Sequence, residues 1–293
     1  MLTSESSEAS EIALALGSDL LALVRAQGVP LAKLSAITSL PSPVRTRAAY
    51  AIELADGTRL KGRRLKSEQR AEAVVRLRAR VGAGFAPILA RRGEAMLLAW
   101  IEGRGLASLD VLPASLLRHC GAWLGALHRL PAVPIASGTA ASPGEHFAKL
   151  ERNLALLLEA QLLDEDLARR ALAAAEAARP ETVSLGIIHK DYCPENLVLT
   201  ADDCLVCVDD ASLSTGPHDL DLARTWYRWP MQPGDAVHFA GGYQEHRSLA
   251  DFLRHFRFWA TCVVVASAVT RVRSHVPGAR IPLERLRQLL APA

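Results

Sequence analysis

Residues 187–199 read IIHKDYCPENLVL. His189, Asp191 and Asn196 fit the skeleton H-x-D-x-x-x-x-N, with a short apolar run on either side, so a polar loop is held between buried segments. An aspartate aimed at a nucleophile and an asparagine five positions on, reached by a turn that Pro194 stiffens, place a carboxylate at a reacting hydroxyl and an amide oxygen at a metal. Transfer of a phosphoryl group needs those two parts, together with something to hold the phosphates. Magnesium takes a further hard oxygen, and Asp209 supplies one at the end of the apolar run LVCV. The intervening turn TADDC suits a short hairpin that would return Asp209 beside Asn196.

Composition narrows the classes of function. A chain of 293 residues, 50% of them hydrophobic, buries a large core and exceeds the size at which single cores divide, so two lobes are expected. A formal charge of +3, from 34 Lys and Arg against 31 Asp and Glu, is too small for a nucleic-acid partner, which needs a dense basic face. The opening MLTSESSEASEIALALG has three glutamates and no basic residue, unlike a secretory or transit peptide, and the expectation is a cytoplasmic protein. The longest apolar stretch, Ala260 to Val269, is half a membrane span and reads as a buried helix, so no membrane partner is expected. The five cysteines are odd in number and scattered, which fits reduced thiols. Cys204 and Cys207 form a C-x-x-C on a strand, where they face opposite sides, so a structural role is the reading for this pair.

The period of the pattern changes along the chain. Residues 10–28 are helical in spacing, and LSAITSL, RAAYAIEL and TRLKGRRL then read as strands, the last two joined at Asp56-Gly57. A helix follows over 67–81, opened by Ser67 as N-cap, and RRGEAMLLAWIEG reads as a last strand. The segments 113–130, 145–178 and 219–229 are helical in pattern, as is most of the remainder. The expectation is an α+β chain with an N-lobe over 1–103, a small antiparallel sheet and one helix that bind the nucleotide, and a mostly helical C-lobe over 104–293 that carries catalysis and substrate.

Together, IIHKDYCPENLVL and the later VCVDDASLSTGPHDLDLA resemble the paired signature of the aminoglycoside phosphotransferase and choline kinase-like proteins, small-molecule relatives of the protein kinases. AMLLAWIEG, GAWLGALHRLP and FAGGYQEH extend the resemblance over nearly the whole chain. It implies a bilobal protein-kinase-like fold that uses ATP and Mg²⁺, with Asp191 as catalytic base and Asn196 and Asp209 as magnesium ligands. It also implies that the backbone of Ala99, Trp100 and Ile101 meets adenine, that Asp221 is a buried brace of the catalytic loop, and that His189 is structural. Lys61, on a strand after the Asp-Gly turn, takes the place of the family's ATP lysine, with Glu72 chosen over Glu68 as its ion-pair partner.

Two departures stand out. Lys190 occupies the position where the family usually has glycine, and the phosphate-covering loop PSPVRTRA contains no glycine, which leaves Ser42 or its neighbours to meet phosphate by side chain. The acceptor side is basic: from Trp226 to Ala293 there are four acidic residues against nine arginines, which favours a neutral or anionic hydroxyl compound over a polycation. The reading is a phosphotransferase from ATP to a small-molecule hydroxyl. The alternatives are a pseudokinase or nucleotide-dependent binding module, favoured by the glycine-free loop, and a kinase acting on Ser or Thr of a peptide.

Overall fold

The structure is a computed structural model and describes residues 16–37, 48–133, 142–275 and 277–291, so Ser42 and the PSPVRTRA loop lie outside the described residues. Along the chain run α1 (residues 16–25), β1 (Leu31–Ile37), β2 (Ala48–Leu54), β3 (Arg59–Arg64), α2 (Glu68–Val81), β4 (Ile88–Arg92) and β5 (Ala95–Ala99). Then come β6 (Arg104–Gly105), α3 (Ala114–His128), α4 (Pro143–Glu159), α5 (Glu165–Ala177), β7 (Leu185–Ile188), β8 (Leu197–Leu199) and β9 (Leu205–Cys207). After them stand β10 (Ser214–Pro217), α6 (His218–Arg228), α7 (Pro233–Gln244), α8 (Ala250–Arg254), α9 (Phe256–Arg273) and α10 (Arg280–Leu289). The chain divides into two compact units, one of Met1–Gly103 with Thr200–Ala211 and one of Arg104–Leu199 with Ser212–Ala293.

The N-terminal unit is built on an antiparallel sheet in the order β1-β2-β3-β5-β4. The Asp56-Gly57 turn joins β2 to β3: Gly57 takes φ +84, open to glycine, and the Asp56 carboxylate accepts from the Thr58 N–H at 2.9 Å. Alternation along β5 sends Leu97 to one face, against Leu16, Leu20 and Val24 of α1, and Leu98 to the other, against Ala71 and Val74 of α2. Ser67 caps α2 by accepting from the Arg70 N–H. The run RRGEAMLLAWIEG is not one strand but the end of β4 and the whole of β5, folded back at Gly93 with φ +52. The turn itself is the polar run Arg91, Arg92, Gly93 and Glu94, which separates the apolar residues of the two strands. The outlying segment Thr200–Ala211 is tied in where the Cys207 N–H donates to the Gly84 carbonyl at 2.8 Å.

In the C-terminal unit, α9 is apolar on nearly every face and buries Phe258, Trp259 and Val263 to Val265 among α4, α5, α6 and α10. No helix among the described residues is long and apolar enough to cross a membrane. The helical run expected over 145–178 is broken into α4 and α5, because Gln161 takes φ +55 and Asp164 starts a new helix by accepting from the Leu167 N–H at 2.7 Å.

Helices α3 and α7 meet along glycines. A Cβ built on Gly242 would stand 1.8 Å from the Arg118 carbonyl oxygen, and one on Gly121 1.9 Å from that of Phe239. Backbone cannot yield as a side-chain tip does, so Gly242→Ala should cost at least about 2 kcal/mol and lower the melting temperature by roughly 4–8 °C. Gly234→Ala on the same helix, where a Cβ meets nothing within 4 Å, should be neutral or slightly stabilising in the same thermal melts. Equal melting temperatures for the two variants would remove the close packing from the account.

Candidate active site

The loop that carries Asp191 runs from β7 to β8, and β7 is fixed by antiparallel pairing with β10, Ile188 opposite Ser214. Its conformation is set by Asp221, fully buried in the first turn of α6. One carboxylate oxygen accepts the His189 N–H at 2.6 Å, the other the Lys190 N–H at 2.6 Å, and His128 Nε2 reaches the first at 3.1 Å. Burial by itself pushes the Asp221 carboxyl up, but the hydrogen bond and charge of His128, with the His189 contributions, hold it below the usual carboxylate range. Burial pushes the His128 imidazole down, against the pull of Asp221. With both amides clamped, Lys190 adopts φ +67, an uncommon conformation for a long side chain, and its carbonyl accepts from Arg224 Nε.

The clamp presents Asp191. Its N–H donates to His189 Nδ1 at 3.2 Å, so the histidine orients the loop backbone. Asn196 Nδ2 donates to the Asp191 carbonyl at 2.8 Å and to Oδ2 at 3.2 Å, which leaves the amide oxygen of Asn196 as a hard acceptor. Oδ1 of Asp191 pairs with Arg228 Nε at 3.2 Å, and the carboxylate side chain remains 33% exposed. The neighbouring Tyr192 is anchored, its hydroxyl donating to the Cys120 carbonyl at 2.9 Å and its ring stacked on Trp123. Burial first, and the Asp191 charge second, push the Cys193 thiol up to about 12, which removes it as a nucleophile.

In the N-terminal unit, Lys61 lies on the central strand β3, opposite Ala51 and Leu98. Its ammonium is buried and donates to the Val208 carbonyl at 2.7 Å, next to Asp209 in the chain. Desolvation lowers its pKa and the Asp209 charge opposes the drop. Asp209 keeps 41% of its side chain exposed, accepts from the Ala211 N–H at 3.0 Å, and has Arg63 at 3.7 Å. The following Asp210 is buried between Arg63 and Arg78, the latter at 3.1 Å.

The structure thus brings Asp191 and Asn196 together in one unit and Lys61 and Asp209 together in the other. The expected Lys61–Glu72 pair is replaced: α2 turns Ala71, Val74, Leu77 and Arg78 inward, which leaves Glu72 on the exposed side with Arg91 at 3.7 Å. Ala99 directs its N–H to the Pro87 carbonyl at 2.9 Å, while Trp100, beneath the Arg59 guanidinium at 4.3 Å, and Ile101 are half-buried beyond the strand end.

Sequence reasoning missed Arg228 and the Arg63–Asp210–Arg78 cluster. Arg228 stands seven residues after Asp221, and Arg224 three after it, so all three share one face of α6, a spacing readable in advance. Among the described residues no group of three or more His, Cys, Asp or Glu could hold a metal ion, and Cys204 and Cys207 are free thiols, one exposed and one buried. The amide oxygen of Asn196 and the half-exposed carboxylate of Asp209 are each, in their own unit, hard oxygens of the kind magnesium takes, an ion that needs few protein ligands and completes its shell with water and phosphate.

A family model described as the phosphotransferase enzyme family matches residues 18–256. No curated protein sequence matches the chain. Among solved structures, a macrolide 2′-phosphotransferase type I is 16% identical at TM-score 0.66, covering 100% of this chain and 99% of its own. The choline kinase LicA from Streptococcus pneumoniae is 13% identical at TM-score 0.63, with 93% and 98% covered. A spectinomycin phosphotransferase in complex with ADP and spectinomycin is 13% identical at TM-score 0.60, with 92% and 93% covered. At these identities the likeness is one of fold, and the α+β arrangement of a five-stranded antiparallel sheet with many helices is theirs.

Proposed function

Since the chain belongs to the phosphotransferase enzyme family, a family of ATP-dependent O-phosphotransferases acting on small molecules, we propose that Asp191 is its catalytic base, that Asn196 and Asp209 hold magnesium, and that Lys61 meets the α- and β-phosphates of ATP. The observation that carries the reading is the clamp on the catalytic loop. Buried Asp221 holds the two amides before Asp191, so a partly exposed carboxylate is presented on a backbone that cannot drift. Such a carboxylate can accept the proton of an acceptor hydroxyl as its oxygen bonds to the γ-phosphorus and the bond from that phosphorus to the bridging oxygen breaks, releasing ADP. Magnesium, when bound, would neutralise charge on the phosphates. Asn196 would contribute its amide oxygen to that ion while its NH₂ steadies Asp191, and Arg228 fixes the other carboxylate oxygen. The backbone at Trp100 and Ile101 would face adenine. The excess of arginine over acidic residues from Trp226 onward supports a neutral or anionic acceptor.

The test is a labelled-ATP transfer screen against pooled hydroxyl metabolites, run on wild type and Lys61→Met. Removing the buried ammonium should reduce turnover about a hundredfold or more, because phosphate positioning contributes several kcal/mol to the barrier. Lys33→Met, on the exposed side of β1, should change it by less than about twofold. A wild-type protein that binds ATP equally well with and without Lys61 and transfers phosphate to nothing would replace the enzyme reading with that of a binding module.

A further inference from the structure

We infer that the buried Arg63–Asp210–Arg78 triad positions the Asp209 carboxylate for magnesium, and so does between β3 and α2 the work expected of a Lys61–Glu72 pair. The inference rests on the phosphotransferase reading and adds to it the residues that hold its metal ligand.

Three charges taken out of water are a poor way to gain stability, because an apolar cluster of the same shape is often as stable or more so. What such a cluster can add is a fixed path for the chain, and here it belongs to a set of contacts that hold residues 207–211 one after another. The Cys207 N–H donates to the Gly84 carbonyl at 2.8 Å, the Val208 carbonyl accepts from Lys61 Nζ at 2.7 Å, and the Ala211 carbonyl accepts from Arg70 Nη2 at 2.8 Å. Between them, Asp210 faces Arg63 of β3 with one carboxylate oxygen and Arg78 of α2 with the other, the second at 3.1 Å. Arg78 is itself located by its bond to the Ala86 carbonyl and by the Phe85 ring, whose centroid is 5.3 Å from the guanidinium. The planar fork of a guanidinium lets one side chain meet several partners at set angles.

The consequence falls on Asp209. Arg63 Nη1, the nitrogen that meets Asp210, also stands 3.7 Å from Asp209 Oδ1, and that oxygen accepts from the Ala211 N–H at 3.0 Å. Both holds converge on Oδ1, so Oδ2 is the oxygen presented to a metal, on a side chain that keeps 41% exposure. Each hold is in turn anchored in α2: Arg63 through Asp210 to Arg78, and Ala211 through its carbonyl to Arg70. Groups that stand one step behind a metal ligand set its orientation, and removing them typically costs about 10–100-fold in metal affinity. Glu72 lies outside this arrangement, on the exposed side of α2 with Arg91 at 3.7 Å.

Manganese takes the same oxygen ligands as magnesium and can be followed by paramagnetic resonance, so Mn²⁺ binding to the full chain with ADP tests the assignment. Calorimetry of ADP in EDTA and urea unfolding run beside it. The triple variant Arg63→Met, Arg78→Met, Asp210→Leu removes the ionic hold and keeps the cluster packed. Arg70→Met, at a half-buried position that bonds a backbone carbonyl, loosens Ala211 without touching the triad. Each variant should keep a urea midpoint near that of wild type and bind metal-free ADP within about threefold, while the Mn²⁺ affinity of the ADP complex falls about tenfold or more. The sign is diagnostic. The triad carries two positive charges and one negative, so by electrostatics alone its removal would tighten a cation at Asp209 and not loosen it. Mn²⁺ bound by the folded triple variant as tightly as by wild type, or more tightly, overturns the inference and leaves the phosphotransferase reading in place. If the triple variant does not fold, the same result in Arg70→Met overturns it. A wild type whose ADP complex takes up no more Mn²⁺ than ADP does in free solution overturns the inference together with the metal role of Asp209.

Discussion

Asp191→Asn is expected to lower kcat about a thousandfold while Mg-ATP still binds within about threefold of wild type, because the role proposed for the lost group is on the acceptor hydroxyl and not on the nucleotide. The asparagine is chosen for shape. It still offers an oxygen to Asn196 and occupies the place against Arg228, so the loop keeps its form and what disappears is the capacity to take a proton. Alanine would also empty the space between Asn196 and Arg228, whereas asparagine removes the charge and keeps the shape. Single-turnover transfer measured beside nucleotide calorimetry separates the two quantities. A variant that turns over within about threefold of wild type would remove Asp191 from proton transfer, and a collapse of nucleotide affinity would assign it to metal binding instead.

Asp210→Ala should be the most destabilising single change in the N-terminal unit. Asp210, Arg63 and Arg78 keep 2%, 3% and 9% of their side chains exposed, and the one carboxylate answers both guanidinium groups. Deleting it strands the buried Arg78 and leaves Arg63 only the Asp209 carboxylate at 3.7 Å, and breaking a buried pair typically costs about 3–5 kcal/mol. Arg78 retains its bond to the Ala86 carbonyl and its place over the Phe85 ring, and neither contact supplies negative charge. Urea unfolding at neutral pH measures the loss. The triple variant Arg63→Met, Arg78→Met, Asp210→Leu, apolar throughout, should recover most of it, since the desolvation cost of all three charges goes with them. A loss below about 1 kcal/mol for Asp210→Ala would show that water reaches the cluster.

How far the sequence discloses this molecule depends on how local each determinant is. The H-x-D-x-x-x-x-N spacing, the Ser67 cap and the Asp56-Gly57 turn are decided within a few residues, and each is visible in the string of letters. The β4–β5 reversal is also local, carried by Gly93 within the polar run of residues 91–94, and the break between α4 and α5 rests on Gln161, between Ala160 and Leu162, where the helical pattern of apolar residues carries on. Long-range determinants are opaque. Arg78 looks like a solvent-facing residue in SEQRAEAVVRLRARV, and only Asp210, far along the chain, explains its burial. Glu72, among apolar neighbours, looked a fit partner for Lys61, yet the face that α2 turns inward places an arginine there and no glutamate.

The stitching of residues 200–211 onto the first hundred has a consequence for the order in which the protein can be made. Arg63 and Arg78 leave the ribosome well before Asp210, which at roughly 5–20 residues per second follows Arg78 after an interval of several seconds or more. Throughout that interval the nascent sheet holds two arginines with no carboxylate to bury them against, and α2 lacks the ion pair that fixes Arg78 inside. The N-terminal unit therefore cannot finish as an autonomous domain while the rest is being translated. It closes only after the chain has passed through β7 and the loop that carries Asp191 and come back with residues 200–211.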